Sequence, residues 1–485
     1  MAHLRSAELA RAISTSLQVC NLSTRPQSFP GSAQSMANRL KTANCVAIFA
    51  LCQIIMVFIF TGLRWQTAAN VTFSDLSNRI VQDPEDTEKC YKMLQKKYFT
   101  SNMATEPTRI LTTATNKVHD ERWKLMQQRI EFALDKCSNS SDVKDITDRI
   151  QGIAWTSRIG NLAYCVTPKV GCTYWKRVFR FIYRDFNGTP KTPADIPRMY
   201  THYGPLKNIK VFHLSEPAAR TKMAYMKAFM FSRDPYTRLW SAYIDKYFLP
   251  DFWRTDAKNV ILSVRENATA YSKRCANDVT FEEFLTHVVR MSGSRMNEHY
   301  VPVHRLCSPC HMKFDYIGKQ ESFSTDTTFI LDDLGLGYLN NDNASFADHV
   351  MEELKTLVTY NFKLKNHLLS GCFHELDVAR RLWLAFQING YIPSEVNFPK
   401  ADLLKVRHLN ETEAVFARLV LDQYNSSKKS SKEWKEQRKR YFVSAYQNVP
   451  LSLLEDVRDV FQLDFDIFNY ESEPEELFYR PASDK

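Results

Sequence analysis

The sequence predicts an α/β domain, a central parallel sheet flanked by helices, carried behind one transmembrane helix and a stem. Three observations predict it. Residues 45–63 form an uncharged apolar run near the start. Two short apolar runs, 162–167 (LAYCVT) and 228–232 (AFMFS), each lead through a tight loop into a helical pattern. Beyond them the chain is mostly helical in its periodicity. Strand, loop and helix in repetition build a sheet covered by helices.

The composition is ordinary for a globular protein. The chain has 485 residues, 44% hydrophobic and 24% charged, with only 13 Gly. A wholly disordered or collagen-like chain is excluded, and no internal repeat is present. Lys plus Arg is 64 and Asp plus Glu is 54, a net charge of +10 that permits an anionic substrate.

Within 45–63, Gln53 is the single strongly polar side chain. A membrane-spanning helix needs roughly 20 apolar residues, so the run suffices. Before it stand Arg5, Arg11, Arg25, Arg39 and Lys41 against Glu8. The positive-inside rule then puts residues 1–44 in the cytosol and the rest beyond the membrane, a single-span type II arrangement. A cleaved signal peptide would have a shorter core nearer the start. Asn-x-Ser/Thr sequons at Asn70, Asn139, Asn187, Asn267, Asn343, Asn410 and Asn425 fit a lumenal location. So do the cysteines Cys90, Cys137, Cys165, Cys172, Cys275, Cys307, Cys310 and Cys372, an even set whose pairing spacing leaves open. Residues 64–155 read as the stem, with the acidic stretch Asp83-Pro84-Glu85-Asp86 and a helical stretch near Trp123 to Cys137.

Pro168 ends the first strand run. After it Trp175, Val178, Phe179 and Ile182 recur at helical spacing. The loop Pro168-Lys169-Val170-Gly171-Cys172-Thr173 thus sits at a helix N-terminus, where backbone N–H groups and the helix dipole favour an anion. Lys169 adds a point charge, and Thr173 can cap the helix. The G-x-x-x-x-G-K-[ST] pattern of ATP-hydrolysing P-loops is absent. A plain strand-to-helix turn accounts for this loop equally well on its own. The second strand run ends at Arg233-Asp234-Pro235, and Tyr236, Leu239, Trp240, Tyr243 and Tyr247 then make one helix face. Arg233 presents a planar fork to a phosphate, with Ser241 eight residues on. Two anion-binding candidates at two strand ends suggest one ligand with two separated anionic groups. A third strand candidate is 314–318.

The segments Pro168-Lys169-Val170-Gly171-Cys172-Thr173-Tyr174-Trp175-Lys176-Arg177 and Arg233-Asp234-Pro235-Tyr236-Thr237-Arg238-Leu239-Trp240-Ser241 resemble the two cofactor signatures of the Golgi carbohydrate sulfotransferases. The group most resembled contains the chondroitin, dermatan and N-acetylgalactosamine 4-O-sulfotransferases and the natural-killer-epitope sulfotransferase. Asn297-Glu298-His299-Tyr300-Val301-Pro302, Leu306-Cys307-Ser308-Pro309-Cys310 and the run 461–470 (FQLDFDIFNY) resemble its later blocks. The chain departs from the family at Tyr174 and Tyr300. The resemblance implies a P-loop-like sulfotransferase fold over residues 156–485 as catalytic domain. It implies 3′-phosphoadenosine 5′-phosphosulfate as donor, the first loop on its 5′-phosphosulfate and Arg233 and Ser241 on its 3′-phosphate. The implied acceptor is a glycan, foremost the 4-O position of N-acetylgalactosamine in chondroitin or dermatan. A terminal N-acetylgalactosamine or glucuronate on a glycoprotein glycan is the alternative, as is a glycan-binding protein that has lost catalysis.

Sulfuryl transfer depends on positioning and charge stabilisation. Lys169 is the residue for the leaving oxygen. A sugar hydroxyl needs a general base, and the candidates are Glu298, His299, His202 and His213. This chemistry requires no metal, and a lumenal kinase would need a carboxylate-held magnesium that no motif provides. Cys307-Ser308-Pro309-Cys310 reads as part of structural disulfides rather than a redox or zinc motif, and Cys172 could pin its loop through another. The run from Lys428 to Arg440 holds seven bases and two acids, a polyanion-steering surface or simply a solvated helix face.

Overall fold

The apolar runs at 162 and 228 become adjacent parallel strands at the centre of one sheet. The computed structural model describes residues 113–139, 150–157, 161–293, 295–340, 346–365, 371–406 and 409–479. The expected tail, the anchor at 45–63, Asn70, Cys90, Asn343 and the Asn410 side chain lie outside the described residues. Among the described residues no helix is long and apolar enough to cross a membrane.

Strands β1 (Ile153–Ser157), β2 (Leu162–Cys165), β3 (Ile209–His213), β4 (Lys227–Ser232) and β5 (Tyr316–Lys319) pair in the order β3-β1-β2-β4-β5. β2, β4 and β5 are parallel. β2 is buried throughout and β4 from Ala228 onward, as expected of parallel strands covered on both faces. β1 corrects the expectation of a wholly parallel sheet. It pairs antiparallel with both neighbours, Ala154 opposite Cys165 of β2 on one side and Phe212 of β3 on the other, so β3 runs in the direction of β2. Neither β1 nor β3 stands out in the sequence, because β1 mixes in Thr156 and Ser157, and edge strand β3 leaves Lys210, Val211 and His213 exposed.

The helices that frame the sheet are α1 (Thr113–Asn139), α2 (Cys172–Ile182), α3 (Arg198–Tyr203), α4 (Pro235–Tyr243), α5 (Val303–Cys307), α6 (Phe323–Asp333), α7 (Phe346–Lys365), α8 (Glu375–Ile388), α9 (Ser431–Gln447) and α10 (Leu451–Phe468). α4 runs on into a π-helical turn, Ile244–Phe248. α1 belongs to the same body as the sheet: Arg129 donates to the Ile317 carbonyl at 3.1 Å and to Asp326 Oδ2 at 2.7 Å. The folded unit therefore reaches further toward the N-terminus than residue 156.

Side chains alternate across the sheet with the two-residue period of a strand. Tyr164, Phe229 and Phe231 point to one face, where they meet Trp175 and Phe179 of α2. Ala163, Cys165, Ala228 and Met230 point to the other, in the core shared with α4 and α10. Every helical-spacing residue of α2 named from sequence is buried except Ile182, which is partly so.

Disulfides join Cys137 to Cys310, Cys165 to Cys307 and Cys275 to Cys372. The C-x-x-C pair is thus split between two structural bridges. Cys172 has no disulfide partner among the described residues, so the bridge expected in its loop is not seen there. Cys165–Cys307 ties the end of β2 to α5, and Thr167 Oγ1 sits 3.5 Å from Cys307 Sγ. Replacing both Cys165 and Cys307 with Ser is expected to lower stability by about 2–5 kcal/mol. A urea midpoint equal to that of the parent chain would rule out this bridge.

Candidate active site

The loop between β2 and α2 is shaped by two left-handed residues. Gly171 has φ 68°, and a Cβ there would fall 2.2 Å from the Phe323 ring. Backbone conformation and close approach both demand glycine. Lys169 also has φ 68°, a conformation uncommon for a side-chain-bearing residue. The second loop holds this one from below. Arg233 Nη1 donates to the Lys169 carbonyl at 3.0 Å, and Arg238 Nε to the Pro168 carbonyl at 3.2 Å. Thr173 does not cap α2. The cap position is Gly171, which supplies no side chain, and Thr173 Oγ1 instead lies 3.0 Å from His202 Nε2.

In the second segment Asp234 caps α4, its Oδ1 accepting from the Thr237 amide at 2.8 Å. Burial pushes the Asp234 carboxyl up to about 6, against the pull of that hydrogen bond. Arg233 Nε donates to Thr237 Oγ1 at 3.1 Å. Glu321 accepts from the Asp234 amide and from the Tyr470 hydroxyl, which also meets Ser232, so the C-terminal block reaches the same strand end. Arg238 is buried; besides Pro168 it bonds the carbonyls of Glu298, at 3.0 Å, and Val301.

These loops open into a cavity of about 500 Å³. Pro168, Lys169, Gly171, Cys172, Thr173, Arg233 and Ser241 line it. The other signature residues build its walls. Val170, Pro235, Tyr236 and Leu239 are buried, Tyr174 packs edge-on against Phe323, and Trp240 stacks on Tyr243.

The cavity is lined by five cations, Lys169, Lys176, Arg198, Arg233 and Lys246, and four carboxylates, Asp245, Asp251, Glu298 and Glu353. Lys169 Nζ sits 2.7 Å from Asp245 Oδ2, and Lys246 Nζ is 3.6 Å from the same oxygen while also pairing with Asp251. The wider π turn carries Asp245 and Lys246 in succession, and both face the cavity. Burial pulls the Lys169 ammonium down and Asp245 opposes it. Against burial, Lys169 and Lys246 hold the Asp245 carboxyl well below the usual carboxylate range. Arg198 of α3 pairs with Glu353 of α7, and Lys176 lies over the Trp155 ring. Sequence reasoning missed Asp245, Lys246 and Arg198 as site residues. Nothing local marks them, because they meet Lys169 only through the fold.

Three of the four base candidates reach the cavity. Glu298 is exposed at its wall, and His202 and His299 line it. His213 does not; it ends edge strand β3, exposed, with its amide on Glu216. Asn297 Oδ1 accepts from the His299 amide at 3.0 Å and lies 2.8 Å from His299 Nδ1. Nδ1 therefore carries the proton and Nε2 keeps its lone pair. Burial holds this imidazole neutral, its pKa well below the usual histidine value.

Two outcomes test this geometry. Arg238→Lys replaces a fork holding three carbonyls with one point charge, and is expected to cost about 2–4 kcal/mol in denaturant unfolding. His202 is held down to about 3 by burial and by Lys176, Arg198 and Lys246, against 6.5 when unfolded. The unfolded chain then binds more protons between those values, so stability is lost as pH falls from 6.5 toward 3. His202→Gln should flatten that part of the stability profile, and an unaltered profile would show that His202 is not buried neutral.

The Sulfotransferase family model matches residues 154–384, from β1 into α8. Carbohydrate sulfotransferase 11 of Mus musculus is 34% identical over 224 residues, 44% of this chain and 62% of the relative. Carbohydrate sulfotransferase 14 of Danio rerio is 33% identical over 173 residues, 36% of this chain and 45% of the relative. Carbohydrate sulfotransferase 8 of Homo sapiens is 31% identical over 224 residues, 44% of this chain and 50% of the relative. The chain thus spans between 45% and 62% of the length of these curated relatives. No solved structure matches it. Both signature loops lie inside the matched region, and over that region the chain is similar to the sulfotransferase family and to the carbohydrate sulfotransferases.

Proposed function

We propose that the protein transfers a sulfuryl group from 3′-phosphoadenosine 5′-phosphosulfate to a sugar hydroxyl of a glycan. The carrying observation is that Lys169 at the end of β2, and Arg233 with Ser241 beyond β4, line one cavity. A ligand with anionic groups at two ends would meet both sets of residues in that one cavity. The cavity's volume is within the roughly 300–1,000 Å³ usual for small-molecule sites.

Pro168 to Thr173 would hold the phosphosulfate end, and Arg233 and Ser241 the 3′-phosphate end. Bound there, the donor supplies an activated sulfuryl group on a stable leaving anion. Lys169 stabilises the charge that develops on the leaving side, and Asp245 favours its protonated form. His299 Nε2 can take the proton of the acceptor hydroxyl, its Nδ1–H anchored on Asn297. Glu298 and His202 are the other base candidates that line the cavity. Val170, Tyr236 and Leu239 support the loops from the core.

The names of the relatives support a carbohydrate acceptor. The 4-O position of N-acetylgalactosamine in chondroitin or dermatan is the acceptor we assign, with a terminal N-acetylgalactosamine or glucuronate of a glycoprotein glycan as the alternative. The three disulfides support an oxidising compartment. With the apolar run at 45–63, they favour a type II protein of the Golgi membrane whose catalytic domain is lumenal. Asn139, Asn187, Asn267 and Asn425 are exposed, as glycan carriers must be.

The test is transfer of radiolabelled sulfate by the full-length chain to desulfated chondroitin, dermatan and an N-acetylgalactosamine-terminated glycan. Lys169→Ala is expected to lower kcat by about 10²–10³-fold. Arg233→Ala should weaken binding of adenosine 3′,5′-bisphosphate by roughly ten- to a hundredfold. A chelator should leave the rate unchanged. A folded chain that binds no donor would sink the proposal and favour a glycan-binding protein without catalysis.

A further inference from the structure

The basic run from Lys428 to Arg440 enters α9, and its turn at Gln437 and Arg438 packs behind the rim of the active-site cavity. Gln437 of α9 is buried and donates to the carbonyls of Gln387 and Ile392, at 2.7 and 2.9 Å. Between those two carbonyls lie Asn389 and Tyr391, which line the cavity. Gly390 separates them, and Arg438 Nη1 is 2.9 Å from the place its Cβ would take. Arg438 thus lies directly behind the cavity rim. Burial pushes the Tyr391 hydroxyl up to about 12; Arg438 and Arg198 both oppose the rise. Tyr391 is therefore bracketed by a cation inside the cavity and a cation outside it.

The positive charge continues outward. Lys435 is one helical turn before Arg438 on the same edge, and both are exposed. The carboxylates beside this edge are engaged: Glu353 by Arg198, Glu395 by Lys429, Glu433 in the helix cap and Glu436 4.0 Å from Lys432. Lys439 pairs with Glu476, further from the rim.

We infer that Arg438 and Lys435, continuous with Arg198 through Tyr391, form a track outside the cavity for a polyanionic polysaccharide chain whose reacting sugar lies within it. The inference rests on the sulfotransferase reading and deepens it: the acceptor is a long acidic chain rather than a short terminal glycan. Arg198 and Lys246 face the sugars in the cavity, and the α9 edge holds carboxylates of sugars further along.

The experiment measures binding of fluorescently labelled desulfated chondroitin, as polymer and as tetrasaccharide, to the full-length chain, alongside sulfate transfer to each. The variants are Lys435→Glu with Arg438→Glu, and Arg440→Glu as control. Arg440 is two residues past Arg438 and so about 200° around the helix. The parent should bind the polymer about tenfold more tightly than the tetrasaccharide, with an affinity that falls steeply with salt, as multiple cation contacts to a polyanion require. The double variant should lose that preference and flatten the salt dependence, with tetrasaccharide binding and the circular dichroism spectrum unchanged. Arg440→Glu should keep the preference. Equal affinity of the parent for both lengths would overturn the inference, as would a double variant that keeps the polymer preference, or an Arg440→Glu variant that loses it equally. Length-dependent binding without any transfer would leave the track standing and remove the proposed activity. Transfer without length dependence would do the reverse.

Discussion

The Arg238 guanidinium, buried beneath the cavity, holds the site together. It donates to the carbonyls of Pro168, Glu298 and Val301, and so joins the loop after β2 to the segment carrying His299 while sitting on the helix after β4. Burying a charge away from water is costly unless hydrogen bonds compensate. Here three carbonyls do so, and Asp464 adds an opposing charge. The pull of burial brings Arg238 down to about 10, still a cation at neutral pH. Asp464 in turn accepts from the amides of Val303 and His304, so α10 is tied to the first turn of α5. Blocks far apart in the chain meet around this one side chain and its counter-charge.

The charges inside the cavity follow a different rule. Lys169, Lys246 and Asp245 are crowded on one side, each stabilising the charged form of its neighbour of opposite sign. A cluster of cations alone would repel itself and lose protons on burial. The interleaved carboxylates let the cavity keep a high density of positive groups before any anion enters. The histidines behave oppositely: His202 and His299 have no carboxylate close enough to outweigh burial and the cations around them, so both stay neutral. One cavity therefore offers cations for charge stabilisation and neutral imidazoles for proton transfer.

Covalent bridges hold this arrangement at its edges. Cys165–Cys307 fixes the strand that leads into the loop, and Cys137–Cys310 ties the end of α1 to the same short segment. The C-x-x-C spacing brings two bridges to one point, so the segment from Asn297 to Cys310 is restrained from both sides. Arg238 holds the other end of that segment through the carbonyls of Glu298 and Val301.

The sequence by itself determined the parallel core strands, the two loops that follow them and the likeness to the sulfotransferases. Those features are local: an apolar run, a proline that ends it, a helix face that follows, and Lys169, Arg233 and Ser241 at fixed offsets. It could not determine strands β1 and β3, whose polar and exposed residues break the apolar run. It offered Thr173 as a cap because threonine often caps, whereas Gly171 occupies that position and leaves Thr173 to meet His202. It preferred Glu298 or His299 as the base over His202 and His213, and the sheet order removed His213 to an edge. Asp245, Lys246 and Arg198 were invisible for one reason: ion pairs and buried carbonyl clamps depend on distance in space, and only the tertiary structure brings residues 76 apart, Lys169 and Asp245, to 2.7 Å.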